Sequence, residues 1–351
     1  MTTERDQLRS LVADFAGDTW SLDPVRVGDA SATRAAATAQ WDRLTTELGL
    51  CALHVTPDLG GGGLTLADQA VVVEELARVL APAPLLTAFG LAATLASAGE
   101  VVDPAAATAV ASGQRRATAV LDLQPRADWA VDLTTLPMVL DGADADLVLV
   151  PVDGGDVIEV VAVDRAEAQV DVLETLDPTR TQARVRLIDA PTTVVSRMHH
   201  RDWAQVQSRI ALLVAGELLG IARHALAISV DYAGTREQFG RAIGSFQAIK
   251  HTLADLHLGV ERAAAALRRG LEAADRDDDL VQVAATSDAK ALAVASDVAV
   301  QATTDAIHVH GGIGFTWEHD LHWYHRRALS SASLAGSARD HRDRLATALD
   351  F

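Results

Sequence analysis

The spacing of apolar residues changes twice along this 351-residue chain, and these two changes most constrain its fold. Before Thr118, apolar residues recur at helical intervals between short breaks. Short β-branched runs follow, and Gly154-Gly155 separates two of them as the turn of a β-hairpin would. From Trp203 onward the helical interval returns over long stretches. This order predicts a mostly α-helical protein with a small β domain: an N-terminal helical domain at residues 1–115, the β domain at 116–200 and a C-terminal helical bundle at 201–351.

Local signals indicate where two of the N-terminal helices begin. Thr65 and Asp68 have the spacing of a capping box, in which each side chain accepts from the other residue's backbone N–H. Asp103-Pro104 combines a helix N-cap with a proline in the first turn. The glycine run Gly60–Gly63 is typical of a turn or loop. These signals predict one helix after Thr65 and another after Asp103.

Charge and composition exclude several classes of partner. The formal net charge is -18, so duplex nucleic acid and anionic membranes would be repelled. Hydrophobic residues make up 49% of the chain but aromatic residues only 4%, so Ala, Val and Leu dominate, and Ala and Leu favour helices. The single cysteine, Cys51, excludes an intrachain disulfide. With no signal peptide and no apolar stretch of about 20 residues recognised, a cytoplasmic location away from membranes is expected.

Two segments carry residues suited to a cofactor. The first, at residues 236–247, joins two long helices and begins with Arg236, a fixed cation that can hold a phosphate through two parallel hydrogen bonds. Taken alone, it is either a phosphate site or an ordinary inter-helix loop. The second, at residues 308–316, has three glycines at a helix end, where backbone N–H groups can approach a ligand. Taken alone, such a turn is more often a helix C-cap than a cofactor loop. Its His308 and His310 have no Cys or carboxylate at ligand spacing, so no metal site is predicted.

In this order the two segments resemble those of the acyl-CoA dehydrogenase family. The family pattern is an Arg-x-x-Phe-Gly loop, a Phe-Gln pair and a Gly-Gly-x-Gly-Phe turn, which correspond here to Arg236–Gly240, Phe246-Gln247 and Gly311–Phe315. Further matches extend over nearly the whole chain, at Glu47–Leu50, Gly60-Gly61, Glu74–Ala77 and Leu176–Arg180. The resemblance implies an acyl-CoA dehydrogenase-like fold with an α-helical domain, a β domain and a C-terminal four-helix bundle.

The resemblance also implies a cofactor and its contacts. In this family FAD lies at a subunit interface, and the Arg-x-x-Phe-Gly loop of one subunit holds the pyrophosphate and adenosine of a flavin seated in its neighbour. Carried over, Arg236 and Gln238 contact the pyrophosphate region. The other implied contacts are Phe239, Phe246 and Gln247, which line the same site, and His308, Gly311 and Gly312 on the adenosine side. His308 stands where the family has Gln, and it can still donate a hydrogen bond.

The chain departs from the family where the catalytic base is expected. Desaturation needs a carboxylate to remove the α-proton of the acyl-CoA thioester, and losing such a group costs roughly 10²–10⁴ in rate. Ala335 stands where many members have this Glu, and Ile210 stands at the alternative position on the first long helix of the bundle. The stretch corresponding to the family's flavin-ring segment, Leu121–Asp128, keeps only its proline. No catalytic residue is therefore assigned.

Three hypotheses remain open. The first is a non-catalytic subunit of a heteromeric acyl-CoA dehydrogenase, resembling bacterial enzymes that desaturate CoA esters of steroid side chains. It would form an α2β2 assembly with a homologous catalytic partner that binds most of the acyl-CoA, and electron-transfer flavoprotein would be the acceptor. The second is a self-sufficient homomeric dehydrogenase in which another carboxylate, such as Glu217, acts as base. The third is a flavin-free acyl-CoA-binding or scaffold protein of the same fold.

Overall fold

The computed structural model describes residues 4–120, 135–187, 189–275 and 281–350, with the backbone alone at residues 52 and 281–285. The N-terminal helices are α1 (Glu4–Thr19), α2 (Asp23–Arg26), α3 (Ala30–Thr46), α4 (Leu66–Ala77), a π-helix (Leu85–Ala92), α5 (Ala93–Ser97) and α6 (Pro104–Ala111). The first eight strands are β1 (Glu100–Val101), β2 (Ala117–Ala119), β3 (Leu136–Leu140), β4 (Leu147–Asp153), β5 (Ile158–Asp164), β6 (Gln169–Val172), β7 (Gln182–Arg186) and β8 (Thr192–Met198).

The C-terminal part is again helical. Its elements are α7 (His200–Thr235), the short strands β9 (Glu237–Gln238) and β10 (Arg241–Ala242), α8 (Gln247–Ala274), α9 (Val281–His310), α10 (Leu321–Leu334) and α11 (Ala338–Ala348). Helices at both ends of the chain with a β region between them confirm the predicted fold class.

Both predicted helix starts are confirmed by their hydrogen bonds. The Thr65 backbone N–H donates to Asp68 Oδ2 at 3.1 Å, and the Asp68 N–H donates to Thr65 Oγ1 at 3.3 Å. Asp103 Oδ1 accepts from the N–H groups of Ala105 and Ala106 at 3.1 and 3.0 Å. These bonds satisfy donors that have no partner inside the helix, and such a cap contributes about 1 kcal/mol.

The β region contains two sheets. One has five strands in the order β1-β8-β5-β4-β2, and the other has three in the order β3-β7-β6. The predicted hairpin joins β4 to β5, and its turn is closed by the Gly154 N–H, which donates to Val157 O at 2.9 Å. Strand β1 was not predicted: it has only two residues, too few to show alternation, and pairs with β8. The buried side chains of both sheets include Val148, Val163 and Val185.

The chain divides into two compact units, Met1–Val27 with Ala70–Ala81 and Val214–Phe351, and Gly28–Gln69 with Pro82–Leu213. In the first unit α8, α10 and α11 all pack against α9. Helix α9 can accept three neighbours because many of its buried residues are alanine, which allows close approach of helix axes. Glu74 of α4 is buried in this unit and binds Arg9 of α1 at 2.9 Å and Arg223 of α7 at 2.8 Å.

Helix α7 corrects one expectation from the sequence. No apolar stretch of membrane-spanning length was recognised, yet α7 is long and apolar enough to cross a bilayer. Polar residues interrupt the apolar ones along α7, so no continuous apolar run of membrane-spanning length is seen in the sequence. Its apolar character appears only as an average over a window of 18 residues, where the mean hydropathy is 1.6. Of that window, 78% is buried inside the structure, as in the core helix of a globular protein.

Candidate cofactor site

The segment after α7 forms a two-stranded hairpin with an exposed phenylalanine at its tip. Strands β9 and β10 are antiparallel, and the Ile243 N–H donates to Arg236 O at 2.8 Å, which closes the hairpin. Phe239 and Gly240 form the turn with φ of +55° and +76°, as a two-residue turn with both central φ angles positive requires. Such a φ costs a non-glycine residue roughly 1–2 kcal/mol, yet the Phe239 side chain is 92% exposed. Strain without compensating burial is characteristic of a functional contact.

The hairpin carries two arginines that form no ion pair with the described carboxylates. Arg236 is exposed, and within the described residues its guanidinium has no carboxylate within 4.0 Å. The Arg241 guanidinium lies 4.1 Å from the centre of the Phe246 ring, and Phe239 meets Phe246 edge-on at 6.1 Å. An exposed guanidinium, with a second guanidinium stacked on an aromatic ring nearby in the same hairpin, suits an anion that also carries a flat ring system.

The second predicted segment is a 3₁₀ turn, Gly311–Phe315, directly after α9. Gly311 has φ of +64°, which ends the helix at His310. A Cβ on Gly314 would lie 2.8 Å from Ile307 O, so only glycine lets the turn fold back onto α9. By contrast, a Cβ on Gly311 or Gly312 would meet nothing within 4 Å. Their backbone is therefore open to an approaching ligand.

The structure brings the two segments to the same end of the helical unit. Tyr232, one turn before the end of α7, stacks on His310, the last residue of α9, with ring centres 4.3 Å apart and planes 22° apart. Of the predicted cofactor contacts, Phe246 is half-buried, and the exposed ones are Arg236, Gln238, Phe239, Gln247, His308, Gly311 and Gly312. The cofactor roles of these eight residues stay predictions.

Several polar groups at this end have no partner in the part of the chain that the structure describes. Within the described residues, the side chains of Arg236, Gln247 and His308 make no hydrogen bond or ion pair. Gln238 differs, because its Nε2 donates to Glu237 O at 2.9 Å. An exposed cation, two unengaged donors and open glycine backbone fit the pyrophosphate and adenosine of FAD, since these groups offer anionic oxygens and hydrogen-bond acceptors. No group of three or more His, Cys, Asp or Glu among the described residues could hold a metal ion.

Both positions compared with the family's catalytic base are apolar and buried. Ala335 directly follows α10 as its C-cap, and its carbonyl oxygen accepts from His341 Nε2 at 2.8 Å. Ile210 is fully buried on α7, and a Cβ on Gly90 of the π-helix would lie only 3.6 Å from Ile210 Cδ1. The third departure from the family, Leu121–Asp128, lies outside the described residues.

Glu217, the carboxylate considered as a relocated base, is bound inside the helical unit. Its Oε1 accepts from Arg327 Nη1 at 2.9 Å, and its Oε2 accepts from Ser331 Oγ at 2.8 Å. Both side chains of the ion pair are almost fully buried. With both oxygens occupied by α10, this carboxylate holds α10 against α7, which disfavours a role in proton abstraction.

Sequence reasoning missed the ring contacts that join the two segments. His310 lies between Tyr232 and His319, and His319 meets it edge-on with ring centres 4.7 Å apart. A signal was present, because Tyr232 is one helical turn before Arg236 and His310 directly precedes Gly311. The stacking of residues so far apart in sequence is a tertiary contact, however, and helical spacing alone does not predict it.

Comparison with known proteins agrees with this architecture. Residues 2–101 match the profile described as the acyl-CoA dehydrogenase N-terminal domain, and residues 206–349 match that of the acyl-CoA dehydrogenase C-terminal domain. A similar curated protein is acyl-CoA dehydrogenase IpdE2 of Mycobacterium tuberculosis, 35% identical over 96% of this chain and 94% of that protein.

Two solved structures are similar over almost their full length. The ChsE4-ChsE5 complex from Mycobacterium tuberculosis contains a chain 25% identical to this one, with a TM-score of 0.84, 100% of this chain covered and 98% of that chain. A variant of the Tcur3481-Tcur3483 steroid ACAD contains a chain 24% identical, with a TM-score of 0.83, 99% of this chain covered and 98% of that chain. The second likeness shows a shared fold.

Proposed function

The chain belongs to the acyl-CoA dehydrogenase family, and we propose that it is the non-catalytic subunit of a heteromeric FAD-dependent enzyme. FAD is the cofactor of this family, and oxidation of an acyl-CoA thioester is its general activity. In the proposed assembly this chain supplies contacts to the pyrophosphate and adenosine of FAD, while a homologous partner supplies the base and the flavin-ring site.

The proposal rests on one observation. The candidate cofactor site has an exposed arginine and open glycine backbone, whereas both positions expected to hold the base are apolar. Arg236 and the Gly311-Gly312 backbone are exposed and open, as residues that serve a neighbouring subunit would be. Ala335 and Ile210 are buried and have no titratable group. This division of features favours a shared site over a complete site in one chain.

Each residue has a definite task in the proposed site. FAD, when bound, supplies an acceptor for the β-hydride of the acyl-CoA. The Arg236 guanidinium would hold the pyrophosphate oxygens, and the backbone N–H groups of Gly311 and Gly312 would face the adenosine side. His308 and Gln247 would donate hydrogen bonds there. Phe239, strained and exposed, would be buried on assembly and would exclude water from the phosphate contacts.

The names of similar proteins support the proposed partner and substrate class. ChsE4-ChsE5 is a complex of two named chains, and Tcur3481-Tcur3483 is named a steroid ACAD. By this likeness, we infer an α2β2 assembly with a homologous catalytic subunit, acting on the CoA ester of a steroid side chain. Electron-transfer flavoprotein would accept the electrons.

Co-expression with a homologous catalytic acyl-CoA dehydrogenase tests the proposal. The complex should contain one FAD per heterodimer, measured as flavin absorbance against protein mass, and should desaturate acyl-CoA. The chain purified alone should bind FAD weakly and show no turnover. Two flavins per heterodimer would contradict the shared site.

The same preparations separate the two other hypotheses. A single chain that holds stoichiometric FAD and turns over substrate would establish a homomeric dehydrogenase, against the buried and ion-paired state of Glu217. Protein that is colourless alone and with its partner would establish a flavin-free scaffold. Neither outcome is expected, because Arg236 is exposed and has no carboxylate partner among the described residues, which leaves its guanidinium available to a phosphate.

A further inference from the structure

A three-ring stack lies between the two predicted cofactor segments. His310 is buried, with Tyr232 of α7 against its face and His319, which precedes α10, at its edge. The elements that meet here are the C-terminal ends of α7 and α9 and the start of α10. Stacked and edge-to-face ring pairs at these distances are attractive beyond the area they bury.

Hydrogen bonds fix the orientation of the two histidine rings, and a backbone hydrogen bond holds the helical turn that carries Tyr232. His310 Nδ1 lies 2.8 Å from Ala306 O, and since a carbonyl only accepts, Nδ1 carries the proton. His319 Nδ1 accepts from the Leu321 N–H at 3.2 Å, which ties this ring to the first turn of α10. Tyr232 is held by α7, whose last hydrogen bond runs from the Arg236 N–H to Tyr232 O at 2.8 Å.

The stack is therefore close along the chain to both cofactor segments. His310 is joined directly to Gly311, so a change in the packing of its ring that shifts the His310 backbone also shifts the glycine turn. Tyr232 lies one helical turn before Arg236, so a shift of its ring tilts the end of α7 and the hairpin with it. Loss of one of these ring contacts would change the distance between the two segments. A displacement of about 1 Å is enough to impair a site whose groups must be held in a fixed geometry.

We propose that His310 is a positioning residue that sets the separation of the Arg236 hairpin from the Gly311-Gly312 turn, so that one FAD can contact both. The inference rests on the proposed function, because it needs both segments to bind the same cofactor. It adds residues with no cofactor contact of their own, Tyr232 and His319, to the machinery of the site.

Two substitutions separate the roles of the ring and the hydrogen bond. His310→Phe keeps a ring between Tyr232 and His319 but loses the donor to Ala306 O. His310→Asn keeps a donor of similar reach but has no ring. In the reconstituted complex, His310→Asn should raise the Kd for FAD about tenfold, whereas His310→Phe should stay within about threefold of the unmodified protein. Tyr232→Leu, which leaves His310 in place, should match His310→Asn.

Thermal stability and a double substitution distinguish positioning from general stabilisation. If the stack only stabilises the helical unit, His310→Asn will lower Tm and leave the Kd for FAD unchanged, and the proposal is overturned. If it positions both segments, the loss from His310→Asn will be smaller when Arg236 is already replaced by Ala, because the contact it aligns is gone. Equal losses in both backgrounds would also overturn it.

Different results would refute the cofactor assignment and the positioning role. If Arg236→Ala does not change the Kd for FAD, the proposed function is wrong. If Arg236→Ala weakens FAD binding but His310→Asn and Tyr232→Leu do not, the cofactor assignment stands and only the positioning role of the stack is wrong.

Discussion

Replacing Arg236 by alanine should weaken binding of FAD by the assembled complex. The guanidinium is exposed and, among the described residues, has no carboxylate within 4.0 Å, so no internal ion pair competes with a phosphate for it. A hydrogen bond to a charged group contributes about 1.5–3 kcal/mol, which corresponds to a roughly ten- to hundredfold higher Kd. Arg236→Lys should recover only part of this loss, because an ammonium cannot reproduce the planar two-pronged contact.

The assay is titration of the flavin-free complex with FAD, followed by flavin fluorescence, for each variant beside a matched control. Arg268 is also exposed and lies on α8, about 30 Å along the helix axis from Gln247 at 1.5 Å per residue. Arg268→Ala removes the same charge from the same helical unit far from the hairpin. Its Kd for FAD should equal that of the unmodified complex.

The alternative role for Arg236 is to stabilise the C-terminal end of α7. A cation there interacts favourably with the helix dipole by about 0.3–1 kcal/mol, and lysine would serve as well as arginine. In that case both Arg236 variants would bind FAD normally, and only alanine would lower Tm. Such a result would refute the cofactor role of the hairpin.

Three further predictions concern the helical unit. Arg327→Met should destabilise the protein by about 3–5 kcal/mol in chemical denaturation, because it leaves the buried Glu217 carboxylate without its guanidinium partner. Burial lowers the pKa of His224 from 6.5 to about 4, so an unfolded chain takes up the proton first and stability is lost as the pH falls from 6.5 towards 4. At about 1.4 kcal/mol per pKa unit, the loss is on the order of 3 kcal/mol, and His224→Phe, which retains a ring against Tyr324, should remove it from the pH profile of unfolding. Ala335→Glu in the isolated chain should give no acyl-CoA turnover in a dye-reduction assay, because one carboxylate does not restore a flavin-ring site.

Features set by neighbouring residues were predictable from the sequence. The Thr65–Asp68 capping box and the Gly154-Gly155 hairpin depend on contacts within a few residues, so their patterns alone indicated them. The π-helix at Leu85–Ala92 was not predicted, because its composition is that of any buried helix and only the register of its hydrogen bonds differs. Strand β1 was not predicted either, because its two residues form a strand only through their pairing with β8.

The candidate site also contains features that the sequence predicted and features that it did not. Arg236 and the Gly311–Phe315 turn were found because their glycines and charges form a pattern along the chain. The Tyr232–His310 contact was not, because it depends on how α7 and α9 pack. The sequence also left the state of Glu217 open, since its partner Arg327 lies on a different helix and the pairing is a result of tertiary packing.

The first compact unit draws on both ends of the chain, and this fixes the order in which it can be completed during synthesis. Val12 and Phe15 on α1 are buried, and Glu74 of α4 is bound by Arg223 of α7. The surroundings of α1 and α4 are therefore incomplete until the bundle helices have been made.

The delay is considerable on the timescale of folding. A ribosome adding about 5–20 residues per second needs roughly ten to forty seconds to pass from residue 27 to residue 214. During this time the second unit, which ends at Leu213, receives its last residues, while the apolar face of α1 is still without its bundle partners. Helix α1 is thus made well before the bundle helices of its compact unit, and part of its surroundings is missing until those helices have been made.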